Sequence, residues 1–180
     1  MRVRAFEIFA TAFLLLGSAW AAMSQKPTDT TPPKEGILKA ADVGTKLFPE
    51  KVYFKSQLAT TQARNSAGVR FSDGSLTMMA LVDASGYASG IREKYQGYLL
   101  SDVAMDIGGQ TLKPGAYGIG FLEGDKFVVM DLGANELFQV SSAKDTEIKR
   151  PVPLQIVAGS SAGSYRLYKG RDYVEFHRAK

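Results

Sequence analysis

The chain of 180 residues contains no cysteine, one histidine at position 177 and one tryptophan at position 20. Each scarcity excludes a class of chemistry. Without cysteine there is no disulfide, no thiol nucleophile and no thiolate-held zinc or iron–sulfur cluster, so the fold must hold by packing alone. With a single histidine, a metal site would have to be built from carboxylates. Asp102 with Asp106 and Glu123 with Asp125 have suggestive spacing, but neither pair forms a 12-residue calcium loop with its closing glutamate. No Walker lysine motif is present, and Gly118-Ile-Gly120 lacks the third glycine, the helix and the downstream acid of a dinucleotide fingerprint. We expect no metal and no cofactor.

What is present begins with a leader. Arg2 and Arg4 precede an apolar run from Ile8 to Leu16, followed by Ala19-Trp20-Ala21 with small residues where signal peptidase needs them. The run is well short of the roughly 20 residues that span a bilayer, so residues 1–21 read as a removable export signal and the mature chain starts near Ala22. Its removal takes away the only Trp, and lowers Lys+Arg from 22 to 20 and Asp+Glu from 18 to 17, leaving a net charge of +3. That excess lies between residues 164 and 180, where Arg166, Lys169, Arg171, Arg178 and Lys180 outnumber Asp172 and Glu175. The destination is the periplasm or the exterior, with no transmembrane segment after signal removal. An exported chain meets little nucleic acid, and none is expected as a partner.

Residues 23–36 carry Pro27, Pro32 and Pro33 and no apolar periodicity, the composition of a solvated arm. We place a disordered arm at residues 22–48, with a short helix between Ile37 and Leu47 that stops before Phe48-Pro49 because a residue preceding proline is pushed out of the α region. A single domain follows at residues 49–180. There, short runs rich in β-branched and aromatic residues alternate with turns, at 51–54, 58–62, 68–71, 76–82, 95–100, 103–107, 116–121, 126–131, 137–141, 153–157, 165–168 and 173–177. Spacing of this kind predicts an all-β antiparallel sandwich or barrel of roughly 10–12 short strands. Asp73-Gly74, Gly108-Gly109, Pro114-Gly115, Gly124-Asp125, Gly133-Ala134-Asn135 and Gly170-Arg171 supply the turn chemistry.

Alternation assigns faces. In residues 117–121, Tyr117, Ile119 and Phe121 share one face, and the other face holds only Ala116, Gly118 and Gly120. So bare a face predicts a bend or an aromatic side chain lying over the glycines. Gly159-Ser160-Ser161-Ala162-Gly163 spells a nucleophile-elbow pattern with Asp172 and His177 downstream. It joins two strands instead of a strand and a helix, and an acid and a histidine five apart in one extended segment face opposite ways. A polar hairpin loop is the better reading. Paired carboxylates for glycoside hydrolysis would meet only in space, and nothing in the sequence points to them.

Two stretches suggest contact with a partner. Between Asp83 and Tyr95, a loop without apolar periodicity carries Asp83, Ser85, Tyr87, Arg92 and Tyr95; tyrosine among small polar residues suits recognition, although a flexible connection whose Tyr87 ring folds back over the sheet is the favoured account. In the last hairpin, Arg166, Lys169 and Arg171 alternate with tyrosines and form a basic surface.

The segment Asp102-Val-Ala-Met-Asp-Ile-Gly-Gly-Gln-Thr-Leu-Lys-Pro-Gly-Ala-Tyr117 resembles a group of exported bacterial β domains of unknown function, in which a short strand, a Gly-Gly turn and a Leu-x-x-Gly-x-Tyr turn lead into a hairpin. The resemblance covers residues 101–132. It implies a periplasmic or secreted β domain and carries over no catalytic residues. These readings converge on a non-catalytic binding module for a small ligand, glycan or protein partner. A structural or accessory role in the cell envelope is the alternative, and a carboxylate-based hydrolase the third.

Overall fold

The computed structural model describes residues 35–180. The export signal expected at residues 1–21 and most of the expected arm lie outside the described residues. In chain order the elements are β1 (Gly36–Leu38), α1 (Ala40–Leu47), β2 (Lys51–Phe54), β3 (Gln57–Arg70), β4 (Leu76–Val82), α2 (Ser89–Arg92), β5 (Gly97–Ser101), β6 (Met105–Ile107), β7 (Gln110–Leu112), β8 (Gly115–Leu122), β9 (Lys126–Met130), β10 (Glu136–Ser141), β11 (Ala143–Lys144), β12 (Gln155–Ala158), β13 (Ser164–Lys169) and β14 (Asp172–Arg178). The strands form two antiparallel sheets. The larger runs β1-β3-β4-β5-β8-β9-β10, with β2 paired to the first half of β3, and the smaller runs β12-β13-β14-β6-β7, with β11 paired to β14. Among the described residues no barrel closes, so of the two architectures expected the open, two-sheet one is present.

The apolar strands explain why two sheets alone do not complete the structure. Met78-Met79-Ala80-Leu81-Val82 in β4 and Phe127-Val128-Val129-Met130 in β9 are apolar throughout, which marks strands buried on both faces. Period two divides them. Met79, Leu99, Ile119, Phe121, Phe127 and Val129 point into a core shared with Met105, Ile107, Leu167, Val174 and Phe176 of the smaller sheet. Met78, Ala80, Val82, Tyr98, Val128 and Met130 point the other way, into a second core with Val43 and Phe48, Val52 and Phe54, and Tyr87 and Tyr95. The larger sheet is therefore the middle layer. Its outer cover consists of α1, β2 and the segment between β4 and β5.

The structure departs from the sequence-based expectation at two places. Residues 36–48, assigned to the arm, belong to the fold: β1 pairs with β3, and α1 buries Val43 completely. The helix starts where the Asp42 carboxylate accepts the Lys39 backbone N–H (3.1 Å) and ends at Phe48, whose extended backbone precedes Pro49 as expected. The strands expected at 58–62 and 68–71 are one strand. Ala63-Arg64-Asn65 forms a bulge in place of a turn, the pairing with β4 shifts between Thr61 and Ser66, and the Ser66 hydroxyl donates to the Ala63 carbonyl (2.7 Å). The connection between β2 and β3 is a tight hairpin without glycine, with Lys55 and Ser56 both at positive φ (42° and 62°).

Candidate functional site

The segment from Asp83 to Gln96 leaves the end of β4 and folds over the outer face of the larger sheet. Asp83 accepts the Ser85 backbone N–H (3.0 Å), Tyr87 N–H donates to the Ala84 carbonyl (3.0 Å), and Tyr95 N–H closes onto Ile91 (2.7 Å) after the single turn of α2. The hydrogen bonds from Ser85, the side chain first and the backbone second, hold the Asp83 carboxyl below its ordinary range. Local bonding thus makes the segment compact, and its apolar residues turn inward. Tyr87 is 5% exposed and Tyr95 is 0% exposed.

The burial of Tyr95 corrects its place among the contact residues, and the Tyr87 ring, also named there, folds back over the sheet as the favoured account of that loop had it. The Tyr95 ring stacks on Phe54 (centroids 3.8 Å apart, 10° between planes), and Tyr87 meets Tyr95 edge-on at 5.3 Å. The Tyr87 hydroxyl donates to the carbonyls of Phe54 (3.0 Å) and Gln57 (3.3 Å), tying the β2–β3 hairpin to the segment. Phe54 and Tyr95 together cover Gly118, and the Lys94 carbonyl lies over Gly120. The bare face of β8 read from the sequence is the seat of this aromatic layer. The signal for the burial of Tyr95 was the glycine face itself, which needs a large ring from elsewhere to fill it.

Among the described residues, the Tyr95 hydroxyl is the one buried side-chain polar atom without a hydrogen-bond partner. Burial, with further contributions from Tyr87 and Tyr98, pushes its ionisation well above the ordinary tyrosine range, so it stays neutral. An unpaired buried hydroxyl costs stability, whereas phenylalanine keeps the shape without that cost. Tyr95→Phe is expected to stabilise the fold by about 1 kcal/mol in urea denaturation. A loss of stability would mean that the hydroxyl has a partner.

Beside this layer lies a groove of about 340 Å³, lined by Gln62, Leu81, Ser85, Arg92, Gln96 and Lys169, with Val82, Ala84 and Tyr95 contributing to its walls. It brings together residues from both expected contact stretches. Ser85, Arg92 and Tyr95 come from the segment after β4, and Lys169 comes from the end of β13 in the smaller sheet. Asp83, Tyr87, Arg166 and Arg171 do not line it. Arg166 instead pairs with Glu175 (3.3 Å) and lies 4.9 Å over the Tyr173 ring, and Arg171 donates to the Ile148 carbonyl through two nitrogens (3.1 and 3.2 Å). The basic surface is thus largely engaged within its own sheet, with Lys169 the member that reaches the groove.

Sequence reasoning missed Gln62 and Gln96. Gln96 fixes the groove's edge: its amide donates to the carbonyls of Glu93 (2.8 Å) and Phe121 (2.8 Å) and accepts the Phe121 N–H (3.0 Å). A glutamine that closes a loop onto a neighbouring strand leaves no periodic trace.

The nucleophile-elbow residues do not assemble. Ser160 donates to Glu175 (2.6 Å), Ser164 donates to the Ser161 carbonyl (2.9 Å), and Asp172 pairs with Lys144 (3.3 Å). Ser161 and His177 border one hollow, but Asp172 is not part of it. Asp102 and Asp106 accept backbone N–H groups from Leu76 (3.0 Å) and Gly109 (2.9 Å). Among the described residues no three His, Asp or Glu side chains are grouped to hold a metal, and no helix is long and apolar enough to cross a membrane.

Several surface carboxylates, exposed or half-buried, are held below their ordinary ionisation range. Hydrogen bonds from Ser75 and then Arg178 lower Asp73 to about 2, Asn135 lowers Asp131, Lys94 lowers Glu136 and Ser160 lowers Glu175. A carboxylate depressed in the folded state adds stability above its unfolded value of roughly 4, and that contribution is lost as pH falls through the folded value. The urea midpoint is therefore expected to be flat from pH 7 to about 5 and to decline between about pH 4 and 2. A midpoint unchanged at pH 2.5 would contradict these pairings.

The fold and groove define a class: an antiparallel two-sheet β domain whose larger sheet carries an extra apolar cover, with a small concave site at the edge of that cover. Compared with family models, with curated proteins and with solved structures, the chain matches none.

Proposed function

We propose that this chain is an exported, non-catalytic β domain, periplasmic or secreted, that binds a small ligand or a glycan unit in the groove beside the 83–96 segment. The observation that carries the reading is the convergence of Ser85 and Arg92 with Lys169 from the other sheet on one concavity. Its volume lies at the lower end of small-molecule sites, and its lining combines apolar Leu81, Val82 and Ala84 with polar and charged side chains. A site fixed between a packed segment and a strand end is preorganised, which lowers the entropic cost of binding.

A thermal-shift screen of glycans, organic acids and short peptides tests this role. A ligand of the groove raises the unfolding midpoint of the wild-type chain and leaves that of Ser85→Trp unchanged, because the indole fills the site. Equal stabilisation of both proteins, or no stabilising compound in the screen, would overturn the proposal.

A second reading, an accessory protein of the envelope, draws on one observation. Tyr53 and Leu58 face each other across the β2–β3 hairpin, 54% and 66% exposed. Purification in a stable envelope complex that dissociates on substitution of both residues by serine would favour it over the groove.

A further inference from the structure

We infer that the ligand of this groove carries an anionic group, a carboxylate, sulfate or phosphate on a body the size of one sugar ring; this rests on the binding role proposed above. Among the described residues no carboxylate side chain lines the groove, whereas Arg92 and Lys169 do. Neither takes part in an ion pair among the described residues.

The acids that would ordinarily neutralise these cations are committed elsewhere. Asp172 lies directly across the β13–β14 pair from Lys169, but its carboxylate is bonded to Lys144 (3.3 Å). Glu93 follows Arg92 in the chain and borders the neighbouring hollow with Lys94, Glu123 and Lys126. Asp83 is turned onto the backbone of Ser85. Two unpaired cations on separate supports therefore share one concave site.

The two glutamines of the groove do not compete for this role. Gln96 is bonded to Glu93 and Phe121, and Gln62 donates to the Val82 carbonyl (3.3 Å) while accepting from Asn65 (2.7 Å). Selectivity falls to the cations. A guanidinium fork matches two oxygens of a carboxylate or of a tetrahedral oxyanion, an ammonium adds a point charge, and the apolar part of the lining covers the uncharged body.

Ligand-observed NMR titration of the full chain with glucuronate, glucose 6-phosphate, glucose 6-sulfate and glucose tests the inference, because the four share a pyranose ring and differ in the charged group. At least one acid is expected to bind about tenfold or more tightly than glucose, with the advantage shrinking in 1 M salt, and the comparison among the acids identifies which anion the site takes. Arg92→Gln/Lys169→Gln, at positions that are exposed and half-buried, should fold with an unchanged unfolding midpoint and lose the preference. Glucose binding as tightly as the acids would overturn the anionic assignment and leave the binding role standing. Failure of every charged sugar to bind, or a preference that survives the double substitution, would also overturn it, and the broader ligand screen then judges the binding role separately.

Discussion

Replacing Gly120 by alanine is expected to destabilise the domain by about 3 kcal/mol or more, an effect large enough to leave a marginal fold mostly unfolded. Gly120 lies in the middle of β8, where a Cβ would fall inside the van der Waals envelope of the Lys94 carbonyl oxygen, with the carbonyl carbon only 2.9 Å away. Neither partner can yield cheaply. Lys94 is held by the turn of α2 and by its ion pair with Glu136, and the adjoining Gln96 is bonded to Phe121 in the same strand. Accommodating the methyl group would lift the end of the 83–96 segment off the sheet and open the groove wall with it. Gly90→Ala is the control, because a Cβ there meets nothing within 4 Å. Its midpoint in urea should stay within about 0.5 kcal/mol of wild type. A Gly120→Ala protein as stable as this control would mean that the segment does not lie on β8.

Phe54→Ala should cost about 3–5 kcal/mol, the range for emptying a buried aromatic site. The ring is fully buried, stacked on Tyr95, edge-on to Tyr87 at 6.2 Å, and pressed against the backbone of Gly118. Its removal leaves the outer core without the piece that joins the β2–β3 hairpin to the 83–96 segment. The same geometry predicts how the two sites couple. A Cβ on Gly118 would stand 2.5 and 2.8 Å from two Phe54 ring carbons, so Gly118→Ala alone is strongly destabilising, yet the cavity left by Phe54→Ala gives that methyl group room. The double variant should therefore lose less than the sum of the single losses, by about 1 kcal/mol or more. Additive losses would contradict direct contact between ring and glycine.

These two sites also show which parts of the structure could be read beforehand. The strands were legible because alternating apolar runs and glycine turns are local signals, and the bare face of residues 116–120 announced that something must cover it. What covers it was not legible. Phe54 and Tyr95 are distant in sequence, and the contact between them depends on a hairpin whose Lys55-Ser56 turn carries no glycine to mark it. The bulge at residues 63–65 looked like a turn because its small and polar residues suit either. For the site, Arg92 and Lys169 were each singled out on composition. Their convergence depends on how the smaller sheet packs against the larger, a tertiary fact that no local pattern contains. Tyr95 was misjudged for the same reason: without the outer layer in view, a tyrosine near small polar residues reads as surface, whereas Tyr87 folds back over the sheet, the favoured account of that loop.

The central claim is that ligand enters the groove between the 83–96 segment and the end of β13, while the tyrosines beside it serve the core. Mapping backbone amide shifts in the isotope-labelled chain, with whichever compound stabilises it most, tests this directly. The largest changes should cluster at Ser85, Arg92, Gln96 and Lys169, with the amides of Tyr53 and Leu58 and of the Ser161–Ser164 loop unmoved. Changes centred on that loop and His177, or on the Tyr53 and Leu58 face of the hairpin, would place the site elsewhere and contradict the account.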